Sequence, residues 1–247
     1  MEYKLSDIEK EENDLSSYSV NKINIRKTKF ESKDALIKIT RLDKSLEEHS
    51  EKFFNQINLY IESLINAQIK IPDIFSRDFN PKAFTFICED AGENLFKYFI
   101  PENIDQTLKQ ENIIHYILDV LEKAQLNKIH IDPHPKNFVI KGSEIKYVDF
   151  TPPYSEDYYN LRLSKANKNE RLILENFFGC FKPSKIIIHL LGDLLKIDHK
   201  IYNFSKKIYE IIKKRNLTDL SYKEFVRQAE EIIKMEKIRE KEGIFLL

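Results

Sequence analysis

Residues 129–150 begin Ile129-His130-Ile131-Asp132-Pro133-His134-Pro135-Lys136-Asn137, continue through Phe138-Val139-Ile140 and a Gly142-Ser143 turn, and end Ile145-Lys146-Tyr147-Val148-Asp149-Phe150. The apolar segments on either side of the glycine alternate like short strands, which predicts a hairpin that returns Asp149 beside Asn137. Asp132 lies just upstream of that hairpin. One carboxylate, one carboxamide and a second carboxylate are therefore expected to converge, and oxygen donors of this kind suit a hard cation. Asp and Asn taken singly are ordinary turn residues, so the signal is their order and spacing around the hairpin.

The spacing of His130, Asp132 and Asn137, followed by Asp149-Phe150, resembles the protein-kinase set H-x-D-x-x-x-x-N and D-F-G. More closely, Asp132-Pro133-His134-Pro135-Lys136-Asn137 resembles the catalytic loop of small-molecule kinases of the aminoglycoside and choline phosphotransferase type, written H-G-D-x-H-P-x-N. The Asp-Pro-His-Pro form also looks like the atypical kinases of the ubiquinone-biosynthesis group. Both groups belong to the protein-kinase-like superfamily. The chain departs from the small-molecule pattern at Ile131, where that pattern has Gly; Lys136 replaces the Gly usual at the second open position, and Thr151 stands where D-F-G has Gly. The resemblance implies ATP as donor and magnesium as cofactor, with Asn137 and Asp149 as metal ligands. Asp132 would orient or deprotonate the acceptor. Phosphoryl transfer needs positioning and charge neutralisation more than covalent chemistry, which is why two carboxylates and an amide can suffice.

Upstream, Ser19–Arg26 and Ala35–Ile39 bracket Glu31-Ser32-Lys33-Asp34, a hairpin signal. Ala35-Leu36-Ile37-Lys38 resembles the V-A-I-K strand of kinases, which makes Lys38 the expected phosphate ligand. Ser45 reads as an N-cap, with Glu47 and Glu48 in the first turn of a helix from Leu46 to about Ala67 that carries Phe54, Ile57, Ile61 and Leu64 on one face. In the kinase pattern a Glu of this helix pairs with the strand Lys; Glu51 is the choice here, with Glu47 one turn earlier. Kinases cover the phosphates with a glycine-rich loop, yet residues 1–91 contain no glycine. Asp73–Phe79 and Ala83–Cys88 read as two further strands about Asn80-Pro81. Glu89-Asp90-Ala91-Gly92-Glu93-Asn94-Leu95 then resembles the linker whose backbone meets an adenine ring, with Glu89 and Ala91 as its nucleotide-binding positions.

The rest of the chain reads as helices: a short one at Leu95–Phe99, a long one at Asn103–Leu126, then about 170–181, 184–195, 200–215 and 222–242. Ser221 with Glu224 three residues on forms a capping-box pattern. Between Thr151 and Asn160, Pro152-Pro153 stops regular structure, and no A-P-E sequence or long activation segment follows.

Composition bounds the answer. With 42% hydrophobic residues over 247 positions the chain can bury an ordinary core. Forty basic and forty acidic residues cancel, which gives no electrostatic case for nucleic acid or an anionic membrane; Lys206, Lys207, Lys213, Lys214 and Arg215 read as a solvated helix face. Cys88 and Cys180 have no zinc or disulfide spacing. The N-terminus is charged and lacks an apolar run, and the longest apolar stretch, Ile186–Leu195, is broken by His189, Gly192 and Asp193, so a cytoplasmic protein is expected.

The expected fold is α+β, two-lobed and protein-kinase-like: a small N-terminal lobe, residues 1–90, with an antiparallel sheet and one helix, and a larger helical lobe, 91–247, with nucleotide between them. The expected activity is ATP- and magnesium-dependent phosphotransfer to a hydroxyl of a small molecule. The alternatives are a catalytically impaired pseudokinase that binds nucleotide, and an atypical protein or RNA kinase. A small acceptor would need a concave pocket, expected where the C-terminal helices cover Asp132, with Tyr154, Tyr158, Tyr159 and the 170–195 region in its wall.

Overall fold

The computed structural model of the chain describes residues 23–42, 44–99, 107–154, 156–168, 171–172, 174–175, 179–198 and 201–241. The chain is α+β and forms two compact units. The first holds the described residues up to Phe54 together with Asp73–Asp90; the second holds Asn55–Pro72 and the described residues from Ala91 onward. The chain thus enters the second unit twice, at Asn55 and at Ala91.

In the first unit, β1 (Ile23–Phe30), β2 (Lys33–Arg41), β3 (Ile74–Asn80) and β4 (Ala83–Glu89) form an antiparallel sheet in the order β1-β2-β4-β3. Register sets Lys38 opposite Phe86 and Thr40 opposite Phe84, so these four side chains share one face. The other face carries Ala35, Ile37, Ile39, Ala83 and Ile87, with Phe30 and Phe75 packed against them and stacked on each other at 5.3 Å. On the Phe84 side lies the first turn of α1 (Ser50–Asn66): the Phe54 ring is 4.6 Å from Phe79 and 5.8 Å from Phe84. The helix starts later than the sequence suggests, since Lys44–His49 is a 3-10 turn; the Ser45 side chain lies outside the described residues.

The β1–β2 connection is tighter than its sequence suggests. Glu31 and Ser32 alone make the turn, with φ of 47° and 69°. Two consecutive left-handed residues define a type I′ turn, whose twist suits a hairpin but which favours Asn-Gly. A charged residue and a serine there carry a conformational cost. The double substitution E31N/S32G is expected to stabilise the protein by roughly 1 kcal/mol, seen as a rise of about 2–4 °C in melting temperature.

The second unit is built round one large core. Here α2 (Thr107–Leu126) turns Ile113, Ile117, Leu118, Leu121 and Ala124 inward, and α4 (Ile186–Ile197) is buried at every position from Ile186 to Leu195. The helices α5 (Tyr202–Lys214) and α6 (Tyr222–Lys241) complete it, with Ile208, Ile212, Phe225, Ala229 and Ile232 inward. The Ser221 cap is formed: Glu224 N donates to Ser221 Oγ at 3.3 Å. A small sheet, β5-β6-β7, sits at the edge of this core, with β5 only Glu93–Asn94, β6 Phe138–Lys141 and β7 Glu144–Tyr147. Gly92 admits β5 to the sheet: its φ is +111°, and a Cβ there would lie 2.2 Å from Ile140 O.

Two features depart from the sequence reading. Residues 156–165 form a helix, α3, although the sequence predicts no regular structure between Thr151 and Asn160; Pro152-Pro153 ends the preceding segment, but Glu156 and Asp157 then favour a new helix start, and Gln56 Nε2 donates to Asp157 Oδ2 at 2.8 Å. Around the expected 170–181 helix, Gly179–Phe181 is a 3-10 turn, residues 171–172 and 174–175 are helical, and the rest lies outside the described residues.

Candidate active site

The helix α2 delivers the chain to the site through a C-terminal turn without glycine. Lys128 takes φ 57°, Lys128 N donates to Gln125 O at 3.1 Å, and Ile129 N donates to Ala124 O at 2.8 Å, a Schellman-type ending. From there burial alternates strictly: Ile129, Ile131, Pro133, Pro135 and Asn137 are fully buried, while His130, Asp132, His134 and Lys136 are only partly buried. The loop is an extended segment with an apolar row sunk into the core and a polar row left at the surface. Two prolines in the buried row remove two backbone donors that would otherwise need partners there.

Short-range bonds fix the polar row. Asp132 Oδ1 accepts from His134 N at 3.1 Å, His134 Nδ1 accepts from Lys136 N at 3.0 Å, and His134 O accepts from Asn137 N at 2.9 Å. Asn137 Nδ2 donates to Asp132 O at 3.3 Å, and Asp132 N lies 3.4 Å from the Tyr147 hydroxyl. Asn94, from the expected linker, donates from Nδ2 to Lys136 O at 2.6 Å, and the Phe96 ring stacks on His134 at 5.8 Å. His130 Nδ1 donates to Phe181 O at 2.9 Å, with the Tyr154 ring 4.7 Å away.

The hairpin forms as the sequence suggests. Phe138 pairs with Tyr147, and Val148 N donates to Asn137 O at 2.8 Å, so Asp149 directly follows the residue bonded to Asn137. Asp149 Oδ1 accepts from Thr151 N at 3.1 Å, and Phe150 and Thr151 are buried. Asp132, Asn137 and Asp149 are thus carried by one loop and one hairpin linked through backbone bonds.

Burial alone would raise the Asp132 carboxyl, but Lys136 and His189, with the hydrogen bond from the His134 amide, outweigh it and hold it below its ordinary value. His134 is pushed down to about 3, first by burial and then by Lys136, so its ring is neutral and Nδ1 can accept from Lys136 N. Burial also drives the Tyr60 and Tyr147 hydroxyls up; they lie 3.4 Å apart beneath the loop.

The remaining candidates are placed as follows. Lys38 is buried, 9% exposed, on the Phe84 face of the first unit's sheet, whereas Glu51 is exposed on α1. Glu89 ends β4, its N donating to Asp73 O at 2.9 Å, and Ala91 is buried at the chain's passage into the second unit. A cavity of about 390 Å³ beside the loop is lined by Tyr60, Asn66, Lys128, His130 and Tyr154 among others. Tyr154 therefore lines a pocket, but Asp132 is not in its wall; the Tyr159 ring is 5.6 Å from Tyr154, and the Tyr158 side chain lies outside the described residues. The sequence reading missed Asn94 and Tyr147 as supports of the loop. The alternation of residues 129–137 was the signal for an extended, half-buried segment that needs such supports.

Compared with known proteins, the chain matches no family model, and no curated protein is found that matches it. Among the described residues no helix is long and apolar enough to cross a membrane.

Proposed function

We propose that the protein is an ATP- and magnesium-dependent phosphotransferase of the protein-kinase-like kind, acting on a hydroxyl of a small molecule. The observation that carries this reading is the mounting of Asp132, Asn137 and Asp149 on one braced loop and hairpin. Asn137 commits its amide nitrogen to Asp132 O, which leaves Oδ1 as the ligand atom; with the Asp149 carboxylate it forms a hard oxygen pair of the sort magnesium accepts. When bound, magnesium would neutralise charge across the nucleotide's phosphates. Asp132, ionised at neutral pH, would receive or orient the acceptor's proton. The turn that could cover phosphates in a kinase is here the two-residue Glu31-Ser32 turn, which has no glycine, so Lys38 is the phosphate-neutralising candidate on the sheet. Only residues 151–155 separate Phe150 from α3, too few for a docking platform of the kind protein substrates use, which favours a small acceptor.

The test is a thermal melt with and without MgATP, followed by ADP release over a panel of hydroxylated and aminated metabolites. ATP at a hundred times its Kd should stabilise the protein by about 2.7 kcal/mol only when magnesium is present, and at least one acceptor should raise ADP release above background. Protection without turnover would support the pseudokinase reading, which the glycine-free turn and Thr151 favour. No protection at all would overturn both.

A further inference from the structure

The helix α4 is buried all round, and helices of that kind are normally apolar throughout. It nevertheless carries His189 and Asp193, one turn apart on one face and each 1% exposed. The helix α6 brings Glu236, 7% exposed, to the same point. The approach of the two helices is close because residue 192 is glycine: a Cβ there would sit 3.1 Å from Ala229 O.

His189 Nε2 faces both carboxylates, 3.7 Å from Asp193 Oδ1 and 3.6 Å from Glu236 Oε1. Hydrogen bonds from nitrogen to oxygen are about 2.7–3.2 Å long, so neither separation is one. Two ligands of a tetrahedral ion, each bonded at about 2.1 Å, lie about 3.4 Å apart, close to what is found. All three ligand atoms are within 4.8 Å of one another. Independently, the other oxygen of that carboxylate, Asp193 Oδ2, is buried with no hydrogen-bond partner, a cost that a cation held by the carboxylate would offset; His189 Nδ1 is also buried without a partner and is not met by an ion at Nε2. Glu236 is already oriented, since Lys196 Nζ holds its other oxygen at 2.9 Å.

We infer that His189, Asp193 and Glu236 form a structural binding site for a zinc-class divalent cation that ties α4 to α6 beneath the Asp132 loop. One imidazole nitrogen with two carboxylates suits zinc, whereas magnesium prefers an all-oxygen shell. The inference is independent of the phosphotransferase reading, because the three ligands are distinct from Asn137 and Asp149.

The experiment uses the full chain expressed without a histidine tag and dialysed extensively against metal-free buffer. Elemental analysis should find about one zinc per chain, or the metal-free protein should take up one equivalent of added zinc; a strong chelator should lower the melting temperature and zinc should restore it. Cobalt substitution should give the visible bands of a tetrahedral nitrogen and oxygen site. Glu236→Gln and the nearly isosteric Asp193→Asn should each lose the stoichiometric metal and the chelator sensitivity while remaining folded by circular dichroism. If the wild type takes up no stoichiometric zinc and its melting is indifferent to chelator and to zinc, the cluster is an ion pair around a protonated His189 and the inference is wrong. Zinc binding left unchanged in both variants would equally overturn it.

Discussion

Replacing Asp132 with Asn is expected to lower phosphotransfer about a thousandfold while leaving MgATP-dependent thermal protection in place. The substitution is close to isosteric, and the oxygen that accepts from His134 N survives in the carboxamide, so the Asp132–His134 turn should persist. What disappears is the negative charge and with it any capacity to take up a proton. Measured as ADP release with the best acceptor from the metabolite panel, the loss should fall on kcat rather than on the KM for ATP, because in the proposed reading this carboxylate would face the acceptor and not the nucleotide. Activity within a few-fold of wild type would remove Asp132 from the chemistry. Loss of ATP protection alongside activity would instead mean that the loop had been disturbed.

Gly92→Ala should be the most damaging single-methyl change in the second unit. Two costs add there: an alanine at φ +111° occupies a conformation that L residues avoid, and its Cβ would sit 2.2 Å from a backbone oxygen that belongs to β6 and cannot rotate away. A destabilisation of roughly 3 kcal/mol or more is expected, equivalent to a fall of about 10 °C in melting temperature. Gly142→Ala is the matching control, since φ is +64° there but nothing lies within 4 Å of the added carbon. Its cost should be about 1 kcal/mol, from backbone conformation alone. Equal effects in the two variants would mean that β5 yields easily. The consequence of the larger effect would be felt at the loop, because Asn94, two residues after Gly92, holds Lys136 O.

The parts of this fold that were legible in the sequence are those whose signal is local. The β6–β7 hairpin announces itself through alternation about Gly142, and α2 through Ile113, Ile117 and Leu121, because period and burial coincide along one short stretch. The α3 helix was not legible: Glu-Asp-Tyr-Tyr-Asn-Leu-Arg-Leu has little apolar periodicity, and Pro152-Pro153 masks the start that Glu156 and Asp157 provide. Strand β5 has two residues and exists because Ile140 is there to pair with, so no window centred on Glu93 could reveal it. His189 and Asp193 registered only as interruptions of an apolar run. Their partner Glu236 arrives from another helix, and tertiary proximity of that kind leaves no trace in periodicity. At the candidate site, the three polar residues could be found by spacing, whereas the supports of the loop, Asn94 and Tyr147, required the structure.

The alternation of residues 129–137 has a consequence for how such a loop can diverge. Each residue of the segment is committed to one side, as letters are committed to a reading frame. Inserting or deleting one residue between Ile129 and Asn137 would send Asp132 towards the core and a proline or isoleucine to the surface, so the length of this stretch is locked. Exchange of identity is a different matter on the partly buried side, where His130 and Lys136 can drift to other polar residues without disturbing the buried row. Lineages carrying this loop should therefore keep its length and inward row, and confine their changes to the side chains that look outward.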